Sequence, residues 1–122
     1  MKAEIKSQLT TVATWEESQA LTLTKDDVRA GIALWLVRVN DIRRERKILK
    51  FGDANHHYDV TMEGGRRWLK MGAGPRVFCF VESSTGNIYK AANWKAPETN
   101  YPRGNVFVED ITEAEKRGGH YA

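Results

Sequence analysis

Between Thr85 and Phe107 the sequence interleaves four aromatic residues, Tyr89, Trp94, Tyr101 and Phe107, with three basic ones, Lys90, Lys95 and Arg103. That mixture suits a flat anionic ligand. Aromatic faces stack on bases for about 1–3 kcal/mol each, and cationic side chains meet the phosphates. Arg103 is the better phosphate partner, because its planar fork binds an oxyanion bidentately. Asn87, Asn93 and Asn105 have the donors and acceptors to read base or ribose edges. Gly104 allows a close backbone approach. The competing reading is structural: Tyr89 and Trp94 as core aromatics, with Pro97 and Pro102 shaping a loop.

Other chemistries find less support. His56, His57 and His120 form no metal-ligand spacing. Two adjacent histidines in an extended segment point to opposite faces, and the bland expectation is exposed loop residues. Cys79 is the single cysteine, so neither an intramolecular disulfide nor a cysteine-rich zinc site is available. Phe78 and Phe80 flank it. If they face the core, strand alternation turns Cys79 the other way, and no paired base is at hand to activate the thiol. There is no nucleophile elbow and no phosphate-binding Walker loop. No catalytic residue, metal or cofactor is expected, and the protein reads as a non-enzyme.

Charge points to the same stretch. Net charge is +3. Residues 1–65 carry ten basic and ten acidic side chains. Residues 66–107 carry seven basic ones, Arg66, Arg67, Lys70, Arg76, Lys90, Lys95 and Arg103, against Glu82 and Glu98. A locally positive field attracts anions and speeds their encounter. A solvated sheet face is the plain alternative.

The elements that must position these residues follow from hydrophobic spacing. A helix is expected over residues 25–47. Thr24 caps it, Asp27 completes a weak capping box, and Val28, Ile32, Trp35, Val39 and Ile42 form one apolar face. Arg43, Arg44, Arg46 and Lys47 suit its C-terminal dipole. Tyr58, Val60 and Met62 alternate as a strand, with Gly64-Gly65 as the hairpin turn. Trp68–Met71 is a second strand, broken at Gly72-Ala73-Gly74-Pro75. Arg76–Val81 is the strongest strand, and Asn87–Lys90 returns from the turn at 83–86. Residues 96–104 read as an ordered loop and Asn105–Val108 as a short last strand. The fold class is therefore α+β: one long amphipathic helix on an antiparallel β-sheet of hairpins. A single domain spans residues 1–122, with the sheet over 57–108. Residues 1–23 are ambiguous, a strand suiting 10–14 and a helix 15–20, and 113–122 are a polar, flexible tail. The longest apolar run, Ile32–Val37, is far short of the roughly 20 residues of a membrane span. With no apolar leader after Met1, and a lone thiol, the expected location is the cytoplasm.

One stretch resembles a known pattern. Phe80-Val81-Glu82, Thr85-Gly86-Asn87-Ile88-Tyr89-Lys90, Ala92-Asn93-Trp94-Lys95-Ala96-Pro97 and Arg103-Gly104-Asn105-Val106 are similar to a hairpin-and-loop motif of small proteins encoded by tailed phages. The motif is more specific for family than for function. Length and the basic, aromatic pocket also resemble the phage anti-Thoeris proteins, which sequester cyclic ADP-ribose-type immune signals. That resemblance implies an oligomer with its pocket between subunits, built from a helix arginine and from aromatics, an asparagine and an arginine of the sheet. Here those roles would fall on Arg29, Phe78 or Phe80, Asn87 or Asn93, and Arg103.

The expected function is thus sequestration of a small nucleotide-derived signal in the cytoplasm of an infected bacterium, by a homo-oligomer, a two-fold dimer by default. The alternatives are a single-stranded nucleic-acid-binding protein, using the same residues as an open groove, and a structural or host-protein-binding protein. No membrane partner is expected.

Overall fold

A computed structural model describes residues 11–53 and 57–110. Among the described residues two helices, α1 (Trp15–Gln19) and α2 (Lys25–Phe51), precede five strands: β1 (Thr61–Glu63), β2 (Trp68–Ala73), β3 (Arg76–Glu82), β4 (Asn87–Tyr89) and β5 (Gly104–Asn105). The strands form one antiparallel meander in the order β1-β2-β3-β4-β5. With α2 packed on one face, the fold is α+β. Within the ambiguous N-terminal segment, Val12 pairs in parallel with Val108, and α1 follows with a complete Thr14–Glu17 capping box. Residues 1–10, His56, His120 and the expected tail 113–122 lie outside the described residues.

α2 starts as its sequence dictates. Thr24 Oγ1 accepts from Asp27 N–H (3.0 Å) and Asp27 Oδ2 accepts from Thr24 N–H (2.9 Å). Val28, Ile32, Trp35 and Val39 are buried, and Ile42 packs against the same core half-buried. The helix runs past the expected end at Lys47, because nothing in Ile48–Phe51 breaks it. It stops at Gly52, whose φ of 87° is left-handed and whose N–H donates to Ile48 O (2.7 Å). The last turns have left the sheet: Ile48, Leu49 and Phe51 are exposed.

β1 begins later than alternation suggested. Asn40 makes a two-way amide clasp on Val60 (2.9 and 2.7 Å), Arg43 donates to Tyr58 O (2.9 Å), and Arg44 binds Asp59 (2.6 Å). The 58–60 backbone is thereby held by the helix, and its ladder starts at Thr61. β2 continues through Gly72 and Ala73, which pair with Val77 and Arg76. The turn is Gly74-Pro75 alone. Gly74 has φ 62°, and proline's fixed negative φ follows it, which selects a type II′ hairpin turn.

The β2–β3 ladder contains a bulge. Met71 pairs with Cys79 but Gly72 with Val77, so Phe78 is the extra residue. This overturns the expectation that Phe78 and Phe80 share a face. Phe78, Cys79 and Val81 join the α2 core, whereas Val77 and Phe80 join a smaller cluster on the opposite, open face with Trp68 and Ala91. An inserted residue shifts strand parity by one, which alternation from sequence does not register.

The expected strand 105–108 is also shorter. Asn105 Oδ1 accepts Phe107 N–H (2.8 Å), and Val108 N–H turns back to Asn105 O (3.1 Å). The asparagine amide offers the backbone a turn in place of the ladder. Phe107 then swings into the core (3% exposed) and lies on Gly31 of α2. A Cβ at Gly31 would sit 2.4 Å from its ring. Gly31→Ala therefore loses stability although alanine is the better helix former by about 1 kcal/mol. The expected net cost is about 1–3 kcal/mol from overpacking, read as a lower denaturation midpoint in urea. A midpoint equal to or above wild type would contradict this packing.

Candidate functional site

The motif residues divide between framework and surface. Asn87 (6% exposed) and Asn105 (3%) are buried. Asn105 Nδ2 donates to Asn87 Oδ1 (2.8 Å) and Thr85 O (2.9 Å), and Gln19 Nε2 donates to Asn87 Oδ1 (2.8 Å). These amides join α1, β4 and β5, with their hydrogen bonds made inside the protein. Phe78 faces Trp35 with ring centroids 6.3 Å apart, and Phe80 is buried beneath the open face. Neither wall of aromatic stacking expected of them exists. Arg29 is exposed on α2.

Tyr89 and Arg103 are not among the residues that line the recess beside Trp94. Tyr89 is half-buried with its ring edge-on to Trp68 (5.0 Å, 82°), and Arg67 lies 4.9 Å over Trp68. Burial and the nearby Glu82 carboxylate push the Tyr89 phenol up, with Asn87 and Arg67 opposing. Arg103 donates its N–H to Ile88 O (2.6 Å), and its guanidinium lies 4.6 Å from the Tyr101 ring centre. Its Nε is buried without a hydrogen-bond partner.

Trp94 is the motif aromatic placed for contact. It is 50% exposed and stands on a preformed loop. Asn93 Oδ1 accepts from Lys95 N–H (2.8 Å) and Ala96 N–H (3.1 Å), and Ala91 bridges Pro97. Asn93 is thus a loop-former. Lys95 is exposed on the same loop. The ammonium of Lys70, from β2, lies 3.6 Å from the Trp94 ring centre. Trp94, Lys90, Asn93, Val77 and Arg76 line a recess of about 570 Å³ on the open face.

A second recess was not anticipated. Arg43, Arg46, Lys47 and Lys50 of α2, with Phe51, His57, Tyr58 and Arg76, enclose about 390 Å³ beside the β2–β3 turn. Arg43 is part-buried, and desolvation lowers its pKa against the pull of Asp59. Its guanidinium is 5.4 Å from the Phe78 ring centre. Lys47 and Lys50 both stand over Phe51 (5.7 and 5.3 Å). His57, expected to be an exposed loop histidine, has a side chain only 8% exposed and faces Asp59 (3.0 Å). Arg76 lines both recesses, so the two share one basic side chain beside the β2–β3 turn.

The spacing of 43, 46, 47 and 50 already set these residues along one side of a helix. Counting charge over residues 1–65 as a block hid them, because acids elsewhere cancel the sum. Arg76 carried no sequence signal beyond opening a strand.

Cys79 is fully buried, and burial pushes its thiol well above the ordinary value. Among the described residues no group of three or more His, Cys, Asp or Glu side chains is placed to hold a metal ion. None of the described helices is long and apolar enough to cross a membrane.

Fold and surface together define a small α+β protein with two basic, aromatic-edged recesses that share Arg76. The model of a family of unknown function (DUF7717) matches residues 3–119. The chain belongs to that family. No curated protein and no solved structure matches it.

Two outcomes test this geometry. Asn105→Ala removes the side-chain partners of Thr85 O and Phe107 N–H and should cost about 1–3 kcal/mol in chemical denaturation. A neutral effect would break the proposed amide tie. Native Cys79 should resist Ellman's reagent at pH 8 and react fully once guanidinium unfolds the chain, since only an accessible thiolate attacks. Rapid native labelling would show that strand β3 is not buried.

Proposed function

We propose that this protein is a non-enzymatic binder of single-stranded nucleic acid, held along a path that would run through both recesses by way of Arg76. The observation that carries the reading is Arg76 lining both recesses, which joins a phosphate-attracting cluster to an exposed stacking ring. Phosphates would follow Arg43, Arg46, Lys47, Lys50 and Arg76. A base would stack on Trp94, whose loop is already ordered, so little conformational entropy is lost on binding. Sequence-tolerant stacking beside a cationic track is the general design of single-strand binders. An extended polyanion suits an open path better than a closed pocket, and the likeness of residues 78–107 to a phage-protein motif is compatible with such a role.

A second reading rests on the α2 recess alone. Its volume of about 390 Å³ falls within the usual range for small-ligand sites, and its cations suit a dianion of the cyclic ADP-ribose type. Sequestration of an immune signal, as the anti-Thoeris resemblance implies, would use that recess in place of the residues first assigned to it.

Fluorescence anisotropy with a labelled 15-nucleotide single strand tests the first reading. For about five phosphate contacts, affinity should fall roughly a hundredfold between 50 and 200 mM salt. Trp94→Ala should weaken binding by about 1–3 kcal/mol at fixed salt. Arg76→Ala should lower the log–log salt slope by about 0.7. No binding at 50 mM salt rejects this reading. A melting temperature raised by cyclic ADP-ribose isomers, with no oligonucleotide binding, favours the second.

A further inference from the structure

A row along α2 outside its buried face carries Leu34, Val37, Asp41, Arg44, Ile48 and Phe51. Their spacings are three, four, three, four and three, the alternation of a two-helix coiled-coil seam. Leu34, Val37, Ile48 and Phe51 are 55, 58, 45 and 63% exposed. A single exposed apolar side chain is ordinary, but an aligned row of them marks an interaction surface.

We infer that a second copy of the chain covers this row, with α2 lying antiparallel to the partner's α2 across a two-fold axis. The residue types select both occupant and register. In an antiparallel pair centred between Asp41 and Arg44, Leu34 layers on the partner's Phe51 and Val37 on the partner's Ile48. Asp41 meets the partner's Arg44, and symmetry repeats every layer. A parallel pair would set Asp41 on the partner's Asp41 and Arg44 on the partner's Arg44, and like charges in contact repel. A shift of one heptad would press Leu34 onto a guanidinium or Phe51 onto a carboxylate. A self-complementary patch is what a two-fold interface requires.

The charged residues are free to take part. Asp41 is 69% exposed at its side chain and lies 3.7 Å from Arg44 of its own chain. Arg44 binds Asp59 through Nη2, and the guanidinium's five donors leave others for the partner's Asp41. Arg43, Lys47 and Lys50 flank the row on one side. The two-fold axis runs perpendicular to both helices, so it keeps both basic recesses on one side of the pair. That consequence, unlike the pairing itself, bears on the binding reading above.

Sedimentation at tens of micromolar, without nucleic acid, tests the pairing separately from binding. Wild type should show twice the single-chain mass of 13.9 kDa. Asp41→Arg and Arg44→Asp should each weaken self-association at least tenfold, because each sets like charges together in both central layers. An equal mixture should recover the double mass, since every central layer then pairs opposite charges. Val37→Glu, at an exposed site that folding does not use, should also give single chains and replaces either variant should circular dichroism show it unfolded. Wild type at single-chain mass overturns the inference, as when residues outside the described segments cover the row. So do folded variants that dimerise like wild type, or a mixture of folded variants that stays at single-chain mass.

Discussion

The bulge at Phe78 governs how this molecule distributes its side chains. Without the extra residue, Phe78 would face the open side and Arg76 would follow it. With it, Phe78 turns under α2 beside Trp35, Val77 becomes part of the open face, and Arg76 stands opposite Ala73 next to the helix. A bulge re-aims side chains and bends the strand locally. Here it lies next to the II′ turn at Gly74-Pro75. The arginine that joins the two recesses owes its position to that one inserted residue.

α2 has a different task at each end. Its first half is an ordinary core helix, buried through Val28, Ile32, Trp35 and Val39. Its second half reaches beyond the sheet and is anchored by polar contacts to residues 58–60. The overhang explains why a basic recess forms there. Cationic side chains that extend past the hydrophobic floor keep their charge near water, where it is inexpensive, while Phe51 and Tyr58 supply apolar walls. Arg43, at the boundary, has the lowered pKa that partial desolvation produces.

The far end of the sheet is held by amides. Gln19, Asn87 and Asn105 satisfy one another and the Thr85 and Phe107 backbone. Buried polar groups need such closure, and once closed they offer little to a ligand. The exposed basic and aromatic side chains stand at the opposite end, towards Trp94 and the β2–β3 turn.

Much of the fold was legible because it is local physics. The Thr24 cap, the three-and-four spacing of the α2 core face and the hairpin signals at 64–65 and 83–86 each act over a few residues. Whether Trp94 is a core or a surface ring was left open by composition, and the loop that Asn93 orders decides it. The sequence by itself therefore determined the element types and their order, together with the excess of basic and aromatic residues in its second half. Tertiary structure alone decided which asparagines are framework, which phenylalanine faces the helix, and that Arg43, Lys50 and Arg76 stand around one recess. Those outcomes depend on a one-residue parity shift and on contacts between segments distant in the chain, and neither leaves a periodic trace in the order of residues.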